Sequence, residues 1–510
     1  MSALNVCIRA DASVRLGTGH LMRCLALAQV LRRQGARITF LMHEVPAQLA
    51  EMLQHQEIAL RRLGESGADH DAPDAVWETD ARRTAAALAE ADSPDWLVID
   101  HYSLDDRWER FVRRPGLRLL VIDDLARRRH DCDALLNQNL LAEVDSRYGA
   151  LLPKDCRLLA GPRFALLREE FSAARKTLRR EYARADHLLI SMGGTDPDGV
   201  CLKVLETVDA MRLDTPQITA IVGVASPNRD VIEQRYAGRK GFRVVRQAAD
   251  MARLMAQADL AVGAGGTSIW ERACVGLPAI VVPVAENQME VSSTAAQAGI
   301  CQLLRPTGVA DGQLATMLEA LRGNAGMRRT LSDAGLQVVD GEGARRVARI
   351  MLQKPLRVRP ARSDDAERIY RWRNAEQIRR HAHDPRPFSL EEHQQWFRES
   401  LANADRVLLI GESDDGPLGV LRYDITQDVA TVSIYLDPAR LGLGYGSSLL
   451  TCAEQWLRRF RPAVGRVRAE IRPENARSRG AFANAGFQPS GAGFERPLQG
   501  QAFQPPVACH

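Results

Sequence analysis

The chain has 510 residues, 45% of them hydrophobic, and its 68 basic and 64 acidic residues leave a formal net charge of +4. That length calls for roughly three domains, and so small a net charge argues against a dedicated nucleic-acid binder. Nine cysteines lie scattered without a Cys-x-x-Cys pair and no apolar run is long enough to cross a bilayer. A reduced, cytoplasmic protein with no membrane partner is expected.

The predicted elements open with a strand over Val6–Ala10, the turn Gly17-Thr18-Gly19-His20 and a helix from Leu21 to Gln34. Leu21, Cys24, Leu25, Ala28 and Leu31 share one face of that helix. His20 therefore stands at the C-terminal edge of a first parallel strand, where open α/β sheets present their ligands. Gly17 and Gly19 let backbone N–H groups approach an anion, and an imidazole there can accept a proton near neutral pH. Taken alone, these four residues also fit an ordinary glycine turn with a solvated histidine.

Strands over Arg37–Met42, Trp96–Asp100 and Leu117–Ile122 follow, alternating with amphipathic helices as in a doubly wound parallel sheet. The Trp96–Asp100 strand runs out into Asp100-His101-Tyr102, an acid, an imidazole and a phenol at the ligand edge. Asp100 could equally cap the next helix. Arg127-Arg128-Arg129-His130 reads as a solvated surface run. Asp69-His70-Asp71 and Asp131-Cys132-Asp133 have the look of metal motifs, but neither follows a strand at the ligand edge, so no metal is expected.

Residues 151–185, with Gly161-Pro162 and a charged helix, read as a connection to a second α/β series. Its strands are predicted over His187–Ser191, Gln217–Val222, Phe242–Val245, Leu260–Gly263 and Ala279–Pro283. Two turns, Ser191–Asp196 and Gly263–Ser268, each leave a strand and open a helix. Gly193, Gly194, Gly265 and Gly266 permit close backbone approach, Thr267 and Ser268 offer hydroxyls, and the helix ends attract a pyrophosphate. Glu271 can accept from a ribose diol, or simply favour the helix dipole. Another strand end brings Asn287 and Gln288. The fold class is α/β, a GT-B-like pair of Rossmann-like lobes over 1–160 and 161–352.

From Leu356 the order changes to α+β, with antiparallel-looking strands over Arg406–Gly411, Leu418–Tyr423 and Ala430–Leu436. A glycine loop and helix occupy 442–460, and a further strand Arg466–Ile471. Backbone N–H groups from Gly442 to Gly446 could cradle a pyrophosphate, or the loop could be a tight turn.

One series of residues resembles the UDP-sugar hydrolases of pseudaminic acid biosynthesis, which act on UDP-2,4-diacetamido-2,4,6-trideoxy-β-L-altropyranose. It comprises Arg9–Ser13, Gly17–Leu25, Ile99–Tyr102, Leu136-Asn137-Gln138-Asn139, Gly161–Arg168, Ser191–Asp196 and Glu286-Asn287-Gln288, in family order. The resemblance implies the fold of the peptidoglycan UDP-GlcNAc transferase, with UDP held mainly by the second lobe. It implies His20 as the base that activates water, Tyr102 and Asn287 as active-site partners, and Glu271 as a uridine-ribose contact. Gly17, Gly19, Asp100, Gly193, Gly194, Gly265, Gly266, Thr267, Ser268 and Gln288 complete the expected substrate site. A glycosyltransferase using the same cleft, with a sensing module behind it, is the competing reading.

In a third expected domain over 356–510, about residues 356–490 resemble the GNAT acetyltransferases through Leu356–Ala361, Arg371-Trp372-Arg373-Asn374, His393–Trp396, the loop after Leu436, Glu470–Asn475 and Ala485-Gly486-Phe487. The resemblance is nearer still to the acetyltransferase of the same pathway, which acts on the 4-amino group of the UDP-sugar. It implies acetyl-CoA as co-substrate, bound by Leu436, Gly442, Gly444, Tyr445, Gly446, Ser447 and Asn475. Glu470, at the end of a strand beside the expected thioester, is a candidate general base through water, or equally a surface glutamate. Two departures stand out. Leu441 replaces an expected basic or amide residue, and Phe482 replaces the tyrosine that many members use to protonate the thiolate.

Overall fold

The computed structural model describes residues 3–498 apart from 12–18, 44, 46, 65–72, 92, 154, 195, 213–216, 224, 247, 249, 354–355, 383, 414–415, 443 and 492. The chain divides into two compact units, Met1–Leu152 with Leu158–Ala348, and Pro153–Arg157 with Arg349–His510.

The first sheet of the first unit contains β1 (Asn5–Ala10), β2 (Arg37–Met42), β3 (Ala59–Arg62), β4 (Trp96–Asp100), β5 (Arg118–Ile122), β6 (Ala134–Asn137) and β7 (Arg157–Ala160), in the order β3-β2-β1-β4-β5-β6-β7. Every residue of β1 and β4 is buried, because both faces of a parallel strand are covered by its crossover helices. β1 and β4 are parallel neighbours although two strands separate them in sequence. Strand order reverses between them, so a crevice opens beyond Ala10 and Asp100.

The second sheet contains β8 (His187–Ser191), β9 (Gln217–Val222), β10 (Phe242–Arg246), β11 (Leu260–Ala264), β12 (Ala279–Val282) and β13 (Gln302–Leu303), in the order β10-β9-β8-β11-β12-β13, all neighbours being parallel. Its reversal falls between β8 and β11. The Gly193-Gly194 and Gly265-Gly266 turns therefore meet at one crevice. The unit is a GT-B-like pair of Rossmann-like lobes.

Three strands of the first sheet escape the sequence reading. β3 is Ala-Leu-Arg-Arg at a half-exposed edge, and β6 is only four residues long. β7 corrects the expectation that 151–185 is purely a connection, since Arg157–Ala160 extends the first sheet. The basic run is corrected in part, since Arg127 and Arg129 are exposed as expected. His130 is buried against Glu109 at 2.7 Å, and Arg128 bonds the carbonyls of Leu104 and His101. Asp131 and Asp133, offered as a metal motif, both pair with Arg113.

The second unit holds β14 (Arg357–Pro360), β15 (Arg406–Ser413), β16 (Gly416–Thr426), β17 (Val429–Leu436), β18 (Arg466–Glu470), β19 (Gln488–Ser490) and β20 (Gly493–Pro497), in the order β14-β15-β16-β17-β18-β20-β19. β15, β16 and β17 form an antiparallel meander. β17 and β18 run parallel but pair only from Val429–Thr431 to Arg466–Arg468. Beyond that register they part, leaving a wedge beside Leu436 and Glu470. The Tyr445–Phe460 helix buries Leu449, Leu450, Ala453 and Leu457 against the sheet. This is the α+β GNAT architecture. No helix among the described residues is long and apolar enough to cross a membrane.

Candidate functional site

The Gly19–Arg33 helix starts at the first crevice, with His20 and Arg23 three residues apart and so on one face. Both meet Asp100 at the end of β4. Asp100 Oδ1 lies 2.5 Å from His20 Nδ1 and accepts from Arg23 Nη2 at 2.7 Å. Asp100 Oδ2 accepts from Arg23 Nε at 2.7 Å. Burial alone would raise the Asp100 carboxyl, but Arg23 and then His20 hold it well below the usual carboxylate range. An ionised Asp100 assigns the ring proton of His20 to Nδ1 and leaves Nε2 with its lone pair for chemistry.

The Asp100 side chain is 0% exposed, and both its oxygens are engaged by His20 and Arg23.

Tyr102 packs edge-on against the His20 ring, with centroids 4.6 Å apart. Its Oη accepts from Asn287 Nδ2 at 3.1 Å, a bond from the first lobe to the second. Burial, and then the charge of Asp124, push the phenol up to about 12. Tyr102 is thus a protonated hydrogen-bonding group. His20, Tyr102 and Asn287 are brought together. Gly19 opens the helix beside them; Gly17 lies outside the described residues, as do Thr18, Thr195, Leu443 and Asp69-His70-Asp71.

Behind this site Arg9 reaches Asp11 and Asp80, and His43 Nε2 is 2.8 Å from Asp80. His101 is kept neutral, pulled down to about 4 by burial and then by Arg9.

In the second lobe the Thr267–Cys274 helix begins after Gly266, at φ +77°, and Gly193 has φ +87°. These backbone conformations favour glycine. Several expected ligand groups have hydrogen-bond partners within the protein. Gln288 Oε1 accepts from the N–H of Gly265 at 3.1 Å and of Val284 at 3.0 Å, so that glycine N–H is already bonded. Thr267 Oγ1 accepts from Gln138 Nε2 at 3.0 Å, across the lobes. Ser268 Oγ donates to the carbonyl of Ala264 at 3.1 Å. Glu271 stays partly exposed, its carboxyl raised by burial, with Arg168 at 3.8 Å. Arg272 is buried beneath the turn, donates to Ala264 and is pulled down to about 10 by burial.

The reading from sequence missed Arg23, Asp124, Asn139, Trp270 and Gln138 as parts of the site. Asn137-Gln138-Asn139 carried a signal: three amides ending an apolar strand need buried partners.

In the second unit, Gly442 and Gly444 both have φ +81° and lead into the Tyr445–Phe460 helix. The side chains of Leu436 and Tyr445 are buried in the core of this unit. Ser447 Oγ donates to Gly444, and Asn475 Oδ1 accepts from Ser478 N as a helix cap. Gly446 lies in the first turn of the helix. Glu470 is exposed at the end of β18, at the wedge. Phe482 is 3% exposed and packs edge-on against Phe487 at 5.0 Å. Its side chain fills the core, and Leu441 packs on the same core. A loop with left-handed glycines, a helix N-terminus and parting parallel strands fit the elongated diphosphate of acetyl-CoA.

Fold and site together define a GT-B-like pair of lobes joined to a GNAT domain. Residues 356–488 match the family model Acetyltransferase (GNAT) domain, and residues 188–334 match the Glycosyltransferase family 28 C-terminal domain. The chain is similar to the spore coat polysaccharide biosynthesis protein SpsG of Bacillus subtilis, 30% identical over 223 residues. That match takes 43% of this chain and 64% of the relative, less than two thirds of its length. It is similar to the UDP-2,4-diacetamido-2,4,6-trideoxy-beta-L-altropyranose hydrolase of Campylobacter jejuni, 25% identical over 254 residues, 49% of this chain and 81% of that one. An uncharacterized protein of Methanocaldococcus jannaschii, MJ1062, is 22% identical over 506 residues, 96% of this chain and 98% of that one.

Proposed function

We propose that the chain carries two consecutive reactions on UDP-amino-sugars in pseudaminic acid biosynthesis. Residues 356–510 transfer an acetyl group from acetyl-CoA to the 4-amino group of a UDP-sugar. Residues 1–160 and 161–352 then hydrolyse UDP from the product, UDP-2,4-diacetamido-2,4,6-trideoxy-β-L-altropyranose. Similarity to the Campylobacter hydrolase supports the substrate class, and the GNAT match supports acetyl transfer.

The observation that carries the hydrolytic reading is the His20–Asp100 pair at 2.5 Å, set beside Tyr102 and Asn287. Water at His20 Nε2 gives up a proton as its oxygen attacks the anomeric carbon. The C–O bond to UDP breaks on the opposite face, so the configuration inverts. Asp100 stabilises the imidazolium that forms. Negative charge growing on the departing diphosphate meets the N-terminus of the Thr267–Cys274 helix and the Gly193-Gly194 turn. UDP is a good leaving group, so this stabilisation replaces a strong general acid. Glu271 is assigned to the uridine ribose.

In the acetyltransferase, acetyl-CoA supplies the activated acetyl group. Glu470, exposed at the wedge, takes a proton from the amine through water. The amine nitrogen forms the amide bond as the thioester C–S bond breaks, and CoA leaves as a thiolate that takes its proton from water, since Phe482 has none to give.

The test is incubation of the purified full chain with UDP-2,4-diacetamido-2,4,6-trideoxy-β-L-altropyranose and no acceptor. Release of UDP and free sugar is expected. Intact substrate would overturn hydrolysis and favour a glycosyltransferase.

A further inference from the structure

We infer that Asp124 is a positioning residue for His20, held in place by a hydrogen-bonded chain that begins in the second lobe. The inference rests on His20 acting as the base. Two donors converge on Asp100 Oδ1, His20 Nδ1 at 2.5 Å and Arg23 Nη2 at 2.7 Å. Arg23 Nη2 also lies only 3.3 Å from His20 Nδ1. Unbalanced, that guanidinium competes for the oxygen that orients His20 and opposes protonation of the ring. The side chains of Arg23 and Asp100 are 4% and 0% exposed, so water screens little of this.

Asp124 supplies the balance. Its Oδ2 accepts from Arg23 Nη1 at 2.7 Å, drawing the guanidinium away from the histidine. Charge then alternates along Asp100, Arg23 and Asp124. Asp124 Oδ1 accepts from Asn139 Nδ2 at 3.0 Å. Asn139 Oδ1 accepts from Trp270 Nε1 at 3.1 Å, which fixes the amide so that its nitrogen faces Asp124. Trp270 is fully buried and sits on the Thr267–Cys274 helix, the element assigned to the diphosphate. The orientation of the base is thereby set in part by the lobe that holds the leaving group.

The other titratable groups facing His20 do not supply this balance. Tyr102 and His101 are neutral, and the Cys24 thiol, 3.5 Å from Asp100 Oδ2, is pushed up by burial. Asp124 is the carboxylate that offsets Arg23.

The experiment measures UDP release by the full chain across pH, with UDP binding measured alongside. Asp124→Asn is expected to lower kcat about tenfold, leave KM within about twofold and move the acid limb of the rate profile to lower pH. The limb moves that way because protonated His20 loses a nearby negative charge. Trp270→Phe keeps the ring but removes the N–H, and shifts both quantities the same way by less. Asp124→Glu restores the carboxylate and returns the limb towards wild type. An Asp124→Asn profile matching wild type, or a loss confined to KM, overturns the inference. Unchanged turnover in His20→Ala overturns the assignment of the base itself, a separate result.

Discussion

The amide of Asn287, in the second lobe, donates to the phenol of Tyr102, in the first, at 3.1 Å. Tyr102 in turn lies edge-on to His20. The contact joins the strand end that packs against the proposed base to the lobe that would hold UDP. Tyr102→Phe removes the acceptor and keeps the ring. A partly exposed hydrogen bond of this kind is worth about 1 kcal/mol, so kcat/KM for UDP release should fall up to about tenfold. An unchanged value would make the contact incidental.

Asp100→Asn leaves the shape of the site but takes away the charge that places the proton on His20 Nδ1. UDP release should fall by roughly 10²- to 10⁴-fold, close to the effect of His20→Ala, while the Kd for UDP stays near wild type. A variant that weakened UDP binding with kcat intact would return Asp100 to the substrate contacts.

Acid should destabilise the first unit through identifiable groups. Asp80 and Asp100 are buried, yet hydrogen bonding and charge from His43 and Arg9, and from Arg23 and His20, hold them below the usual carboxylate range. His101 is held down at about 4 by burial. All three bind protons more readily when unfolded, so their stabilisation is present above the unfolded values and is lost as pH falls. The thermal midpoint should decline from about pH 6.5 for His101 and more steeply below about pH 4 for the carboxylates. A midpoint constant from pH 6.5 to 3 would contradict this.

Gly265 has no room for a side chain. A Cβ there would lie 2.6 Å from Ser292 Oγ and 2.8 Å from Gln288 Cβ. Gly265→Ala should cost about 1–3 kcal/mol of stability and raise KM for the UDP-sugar, because Gln288 must leave the N–H it fixes. Equal KM and equal denaturation midpoints would show that the turn adapts freely.

In the acetyltransferase unit, Glu470→Gln should slow acetyl transfer by about 10²-fold and leave UDP release unaltered. Phe482→Tyr should not speed the reaction. It would place a hydroxyl among Phe487 and Phe494, at a cost of about 1–3 kcal/mol if unpaired. Faster transfer by Phe482→Tyr would mean that the ring leaves the core and reaches the thiolate.

Much of the fold was legible because parallel strands covered on both faces must be continuous apolar runs. Arg37–Met42, Trp96–Asp100, His187–Ser191 and Gln217–Val222 are observed where the sequence predicts them. β3 and β7 were not legible, since edge strands need neither length nor apolarity to pair. At the site, a glycine turn and two strand ends at one edge of a doubly wound sheet placed His20, Tyr102 and Asn287 there, and the resemblance to the hydrolase family supplied the roles expected of them. The division of duties could not. Asp100, Thr267 and Gln288 look like ligand groups in sequence, and only their neighbours in space show them bonded to His20, Gln138 and Gly265.

The sequence by itself determined two α/β lobes, an α+β domain and the strand ends that carry chemistry, because hydrophobic periodicity and glycine turns are local properties of the chain. Tertiary structure alone decided that Arg23, Asp124, Asn139 and Trp270 stand behind His20. Charge balance in a buried site depends on distance and exposure. Residues as far apart as Arg23 and Asp124 acquire those when the first lobe folds, and Trp270 joins them only where the two lobes meet.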